Sequence, residues 1–227
     1  MIGDENCLTL NIYKPQTDNV QLLPILFWIH SGGFMQGTSF EGDPKYLMDR
    51  DIILVTVNFR QGALGFLSTG DEHISGNMGL KDQSLALKWL SKNIESFGGD
   101  SERVTLAGVS SGSASAHYHY LSPMSKGLFS HGISFSGTAL SPRYFINNPL
   151  MRAKLLAEHV ACPTNNIKDM VECLRIRPAR DLCEAIKRIN VSLQKYRINV
   201  VAEIHENIES TPFPIEQKNK AAENLTL

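Results

Sequence analysis

The sequence predicts an α/β fold with a partial central sheet, mostly parallel, and helices on both of its faces. Residues 24–30 and 51–59 are apolar runs with the length of buried strands, and the second has the β-branched composition typical of parallel sheets. Residues 80–97 carry apolar side chains at helical spacing. Residues 104–121 pass from an apolar run through a glycine turn into small residues, which indicates a strand, a sharp turn and a helix.

The predicted strands follow from the hydrophobic pattern. Residues 7–13 alternate between apolar and polar side chains, as expected of a half-buried strand. Residues 23–30 and 51–59 are more continuously apolar, which is expected of core strands. Two shorter runs, 104–107 and 133–135, complete the predicted set.

The predicted helix at 80–97 is amphipathic and ends at two consecutive glycines. The helix after the glycine turn extends to about residue 121 and carries His117 and His119. These two histidines are two positions apart and therefore point to different faces of the helix. We interpret them as packing or polar residues and not as a metal pair.

Further helices are predicted after residue 148. Asn148 followed by Pro149 is typical of a helix start, because asparagine caps N-termini and proline suits the first helical position. Short helices are also predicted to begin at Asn166 and at Pro178. The pattern weakens beyond Asn190, so residues 190–227 are predicted to form a tail that is partly disordered.

The glycine turn contains Gly-Val-Ser-Ser-Gly at residues 108–112. In a G-x-S-x-G nucleophile elbow, the central serine has a strained backbone and an exposed hydroxyl above the sheet. The glycines leave room where a Cβ atom would collide with neighbouring elements. Only Ser110 has glycines at both offsets, so it is the predicted nucleophile. The alternative is an ordinary turn, since such strings also arise in loops without a function.

A second loop supports this interpretation. Ser31-Gly32-Gly33-Phe34 follows a predicted buried strand, and two glycines at that place can direct backbone N–H groups into a cavity. Acyl transfer needs such donors for its oxyanion, and loss of one typically costs about 100- to 1000-fold in rate. The predicted donors are the N–H groups of Gly32, Gly33 and Ser111. The order of loop and elbow is that of an α/β-hydrolase.

Seven strings carry a resemblance to a known family. They are ENCLTLNIYKP (5–15), WIHSGGF (28–34), NFRQG (58–62), GNMGLKDQ (76–83), NIESFGGD (93–100), GVSSG (108–112) and SPMSKGLF (122–129). In this order and spacing they resemble the type-B carboxylesterase and cholinesterase family, most of all the insect carboxylesterases. The resemblance covers about residues 4–190. It implies hydrolysis of a small-molecule carboxylic ester through an acyl-enzyme on Ser110.

The resemblance also implies structural pairs. In the family, Arg60 and Asp82 would form an ion pair, and Cys162 and Cys173 would form a disulfide. Closing that short loop would stabilise the fold by about 2–4 kcal/mol. The alternative is that the two cysteines are unrelated thiols.

Three departures from the family pattern lie at the predicted site. The family usually has glycine at Ser31, glutamate at Val109 and alanine at Ser111. Because the oxyanion donors are backbone groups, Ser31 and Ser111 are compatible with the predicted oxyanion hole. Val109 removes a carboxylate that the family uses behind its catalytic histidine, so we expect a less efficient site.

The remaining cysteines and two sequons give a weaker signal. Cys7 resembles one half of a family disulfide whose other half lies upstream, and Cys183 has no obvious partner. Asn190 and Asn224 begin N-x-S/T sequons, the acceptor pattern for N-glycosylation. Together with the implied disulfide, these features favour a secreted protein.

The resemblance implies a chain that lacks both ends of the family domain. An α/β-hydrolase triad continues from the serine to an acid and then a histidine, and the family's acid and histidine lie beyond residue 227. Three hypotheses follow: a part of a serine carboxylesterase that is inactive alone, a non-catalytic adhesion or binding module, or a truncated gene product without function. The retained Ser110 argues against the second.

Composition limits the other classes of function. The chain has 227 residues, 42% of them hydrophobic, and a formal net charge of -1, which suits one globular domain over 1–227 and indicates no nucleic-acid partner.

The longest apolar stretch, 22–29, is far short of the ~20 residues that span a bilayer. Residues 1–7 show no signal-peptide pattern. No metal or cofactor is predicted, because the cysteines and histidines lack ligand spacing. The oligomeric state is not readable.

Overall fold

A five-stranded sheet forms the centre of the computed structural model, which describes residues 3–144, 146 and 148–195. The strands are β1 (Leu10–Tyr13), β2 (Leu23–Ile29), β3 (Ile53–Val57), β4 (Gly99–Val109) and β5 (His131–Phe135). Their order across the sheet is β1-β3-β2-β4-β5. Only β1 is antiparallel to its neighbour; the β2–β3, β2–β4 and β4–β5 pairs are parallel. The predicted mostly parallel sheet is therefore confirmed.

Burial explains why these segments form strands. In β2, every second side chain is at most 2% exposed, namely Leu23, Ile25, Phe27 and Ile29. All five residues of β3 are buried, as expected of a strand with one neighbour on each side. The edge strand β1 is half-buried and starts at Leu10, three residues later than predicted.

Six helices flank the sheet within the described residues. They are α1 (Gly62–Phe66), α2 (Met78–Asn93), α3 (Ser111–Leu121), α4 (Pro149–His159), α5 (Ile167–Arg175) and α6 (Ala179–Lys195). No described helix is both long and apolar enough to cross a membrane. The sequence pattern missed α1, because five residues are too few to show a helical period.

The predicted helix at 80–97 is wrong at its C-terminal end. The α-helix stops at Asn93, and Ile94–Phe97 forms a 3-10 helix. Gly98 then adopts φ +82°, and its N–H donates to the carbonyl of Glu95 at 2.9 Å. The tightened last turn leads directly into the left-handed glycine, a common way to end a helix.

Asparagine caps set the starts of α4 and α5. Asn148 Oδ1 accepts the N–H of Met151 at 3.0 Å, and Asn166 Oδ1 accepts the N–H of Asp169 at 3.2 Å. Each bond satisfies one of the N–H groups that a helix leaves without an internal partner. The predicted helix starts are therefore confirmed.

The described apolar side chains form two buried clusters. The first lies around β2, β3, β4, α2 and α3, and the second joins α4, α5 and α6. A disulfide between Cys162 and Cys173 crosslinks the second cluster, with Cα atoms 5.8 Å apart. The disulfide implied by the family resemblance is therefore present, and it holds α5 against the end of α4.

The edge strand β5 is exposed along its whole length. Ile133 and Phe135 are 41% and 50% exposed, and the Phe135 ring lies 6.2 Å from that of Trp28. Among the described residues no strand pairs with the outer edge of β5. An open edge of this kind can pair with other chains.

We expect a double Cys162→Ser, Cys173→Ser variant to lose about 2–4 kcal/mol in its free energy of unfolding, because the crosslink restricts the unfolded chain. Denaturant unfolding followed by circular dichroism measures this loss. Cys183→Ser is the matched control, since that thiol is free and half-buried. Equal losses in the two variants would assign the effect to cysteine packing and not to the crosslink.

Candidate active site

Ser110 lies at the junction of β4 and α3 in a strained backbone conformation, with φ +56° and ψ −115°. A non-glycine residue in that region costs on the order of 1–3 kcal/mol, so the surrounding structure must hold it there. Its N–H donates to the carbonyl of Phe135 on β5 at 2.8 Å. This strand-turn-helix geometry is what a nucleophile elbow requires, and Ser110 remains the predicted nucleophile.

The two glycines of the turn allow three elements to approach closely. A Cβ on Gly108 would collide with the carbonyl group of Gly112. A Cβ on Gly112 would collide with the backbone oxygens of Ile29 and His30. The first turn of α3 is therefore packed against the end of β2, as the glycine spacing predicted.

The loop after β2 turns sharply through three residues with positive φ. Gly32, Gly33 and Phe34 have φ values of +118°, +65° and +60°. The Gly32 carbonyl accepts the N–H groups of Met35 and Gln36 at 3.1 and 3.2 Å. Phe34 is 1% exposed and fixes the end of the loop in the core.

One hydrogen bond joins this loop to the elbow. The N–H of Gly33 donates to Oγ of Ser111 at 2.9 Å, across 78 residues of sequence. The structure thus brings two of the predicted oxyanion donors, Gly33 and Ser111, into direct contact. The bond also engages the Gly33 N–H with a side chain, which the sequence did not reveal.

Two residues that support the loop, His30 and Gln61, were not predicted from the sequence. His30 is 2% exposed and stacks on Phe59 with ring centroids 4.6 Å apart. Its Nδ1 lies 2.6 Å from the Ser31 carbonyl, and its Nε2 lies 3.4 Å from Nε2 of Gln61. These contacts fit a neutral ring that donates through Nδ1, and burial lowers its pKa. The sequence feature that could have predicted this support is the histidine directly before the loop that begins at Ser31.

Arg60 and Asp82 lie in direct contact behind the loop. Arg60 donates from Nε to Oδ2 at 2.8 Å and from Nη2 to Oδ1 at 2.7 Å, and its backbone N–H reaches Oδ2 at 3.1 Å. The hydrogen bond to Asp82 raises the pKa of Arg60. The pair ties the segment after β3 to α2, which agrees with a structural role.

His119 lies in a buried polar network and not at the predicted nucleophile. It is 3% exposed, and its two ring nitrogens lie 2.8 Å from Ser125 Oγ and 2.9 Å from Gln83 Oε1. Burial lowers its pKa to about 4. His117 on the same helix contacts Thr138 Oγ1 at 3.0 Å. Both positions agree with the packing roles interpreted from the sequence.

Within the described part of the chain, no side chain is hydrogen-bonded to Ser110 Oγ, and the two histidines of α3 contact Thr138, Ser125 and Gln83 instead. The described residues contain no group of three or more His, Cys, Asp or Glu side chains that could hold a metal ion.

Cys7 and Cys183 are free and half-buried, and burial raises the pKa of both thiols. Asn190 lies in α6, while Asn224 and most of the predicted tail lie outside the described residues.

A model of the carboxylesterase family matches residues 1–224. Among curated proteins, venom carboxylesterase-6 of Apis mellifera is 50% identical over 81% of this chain and 33% of its own length. Juvenile hormone esterase of Tribolium castaneum is 48% identical over 80% of the chain and 32% of its own length. Bile salt-activated lipase of Homo sapiens is 44% identical over 82% and 26%. The chain therefore spans about a third or less of each of these relatives.

We expect the stability of the fold to fall as pH decreases from about 6.5 to 4. The folded chain keeps His119 neutral because its pKa, about 4, lies below the ordinary 6.5. The unfolded chain binds a proton in this window and the folded chain does not, so up to about 3 kcal/mol present above pH 6.5 is lost towards pH 4. Denaturant unfolding at pH 7.5 and 4.5 measures the loss.

His119→Gln tests the assignment, because an amide does not titrate and we expect a weaker pH dependence. His131→Gln is the control, since His131 is exposed on β5. An unchanged pH dependence in His119→Gln would contradict the role given to this ring.

Proposed function

Because the chain belongs to the carboxylesterase family, we propose that it carries the nucleophile and oxyanion hole of a carboxylic ester hydrolase. The observation that carries this proposal is the Ser110 backbone, with φ +56° and ψ −115°, held at the turn between a parallel strand and a helix. Such a conformation has a local cost, and we propose that it is retained because it exposes the hydroxyl of a nucleophile.

In the proposed reaction, Ser110 Oγ forms a bond to the ester carbonyl carbon while its proton passes to a base. The carbonyl oxygen becomes an oxyanion, and the N–H groups of Gly32, Gly33 and Ser111 stabilise its charge. The intermediate collapses with loss of the alcohol, which takes the proton from the base. Water then attacks the acyl-enzyme in the same way, releasing the carboxylic acid and restoring Ser110.

Among the described residues, no base and no orienting acid is hydrogen-bonded to Ser110. A serine hydroxyl is a weak nucleophile at neutral pH without an adjacent base. An oxyanion hole and binding alone leave about 1000- to 10,000-fold over water. We therefore propose that this chain by itself is catalytically incomplete, and that the base comes from outside the described residues.

The proposed substrates are small-molecule carboxylic esters as a class. Relatives named as a juvenile hormone esterase and as a bile salt-activated lipase are similarly related to this chain. Their names refer to different esters, so the shared chemistry is the ester carbonyl. We also propose a secreted location, which the Cys162–Cys173 disulfide supports because such bonds persist in oxidising compartments.

A non-catalytic binding module is the second candidate. Two observations favour it: Val109 stands where the family has glutamate, and no described base is hydrogen-bonded to Ser110. The retained Ser110 at the strand-to-helix turn argues against it, because a binding module does not need the nucleophile of an elbow.

Labelling with a fluorophosphonate ester tests the proposal. Ser110 Oγ would bond to phosphorus with loss of fluoride, and intact mass would report one adduct for each chain. We expect slow labelling that is lost in Ser110→Ala and kept in Ser136→Ala, a control serine that also has φ +56°. Absence of any adduct in a folded chain would contradict Ser110 chemistry here. Fast labelling would contradict the proposed lack of a base.

A further inference from the structure

The side chain of Ser111 contacts one of the predicted oxyanion donors. Its Oγ accepts the Gly33 N–H at 2.9 Å. We propose that this hydroxyl is an internal ligand of the oxyanion hole, which holds the Gly33 N–H until the substrate carbonyl oxygen displaces it. This inference rests on the proposed function, because Gly33 is an oxyanion donor only if Ser110 attacks esters.

The three predicted donors are not equivalent. Among the described residues, the N–H groups of Gly32 and Ser111 have no protein acceptor, while the Gly33 N–H is taken. A developing oxyanion therefore meets two open donors and one that is already engaged. Preorganised donors stabilise the transition state most when nothing has to be broken to use them.

The Ser111–Gly33 contact joins two parts that are both held in place. Ser111 is 2% exposed at the start of α3, and Gly112 packs against the backbone oxygens of Ile29 and His30. On the other side, the carbonyl of the buried Phe34 accepts the N–H of Gly62 at 2.7 Å. Because neither the start of α3 nor the loop around Gly33 can move away easily, the Gly33 N–H is freed mainly by rotation of the Ser111 side chain.

Serine at position 111 therefore weakens the hole relative to alanine. Alanine keeps the backbone N–H at this position but has no oxygen to accept from Gly33. Because a neutral hydrogen bond has a modest net value, we expect Ser111→Ala to raise the rate of Ser110 phosphonylation by about 2- to 10-fold. The phosphonyl oxygen occupies the place of the oxyanion, so this rate reports on the hole directly.

Two measurements test the inference on the whole chain. The first is the second-order rate constant for fluorophosphonate labelling in the natural chain, in Ser111→Ala and in Ser115→Ala. Ser115 is the matched control, because it is a fully buried serine on α3 whose hydroxyl contacts Gln83 and not the loop. The second is hydrogen exchange of the Gly33 amide, measured by NMR, which does not depend on reaction at Ser110.

Faster labelling and faster Gly33 exchange in Ser111→Ala alone would support the inference. Slower labelling of Ser111→Ala would overturn it, since the hydroxyl would then assist the hole. Unchanged Gly33 exchange would also overturn it, whatever the labelling shows. If no variant is labelled but Gly33 exchange accelerates in Ser111→Ala, the Ser111–Gly33 hydrogen bond is upheld, while the proposed ester chemistry and the oxyanion role of Gly33 fail.

Discussion

The close approach of α3 to the end of β2 is the constraint on which the candidate site depends. It requires Gly112, because any side chain there would meet the backbone oxygens of Ile29 and His30. With α3 held so near, the chain must reverse within one residue after β4, and Ser110 takes the positive φ that this reversal demands. The same approach brings Ser111 within hydrogen-bond distance of Gly33. One packing contact thus positions both the predicted nucleophile and the predicted oxyanion loop.

Two polar clusters behind the site hold the surrounding loops without taking part in the proposed chemistry. The buried His30 ring bridges the Ser31 carbonyl and Gln61, so the loop after β2 is tied to the segment after β3. Arg60 in that segment is in turn held by Asp82 on α2. The His30 nitrogens and the Asp82 oxygens are paired, as burial requires, whereas Gln61 Oε1 is buried without a partner among the described residues. The result is a rigid support for backbone donors, which act only when their positions are fixed.

The proposed chemistry divides into parts that the described residues hold and one part that they do not. Strain, glycine packing and backbone donors are all present near Ser110, and none of them needs a carboxylate at Val109. Proton transfer is different, because it needs a histidine within hydrogen-bond reach of the hydroxyl. The buried His119 cannot serve, since both of its ring nitrogens already contact Gln83 and Ser125. Folding of the elbow and completion of the triad are therefore separate requirements.

The sequence by itself determined the strands, most helix boundaries, the sharp turn at Ser110 and the Cys162–Cys173 pair, because each depends on local pattern or on fixed family spacing. Hydrophobic periodicity could not show α1, which is too short, or the 3-10 turn at Ile94–Phe97, where Gly98 tightens the helix end. Only the tertiary structure decided which polar groups meet. The Gly33–Ser111 bond spans 78 residues and depends on side-chain direction at a packed interface, which no sequence pattern encodes.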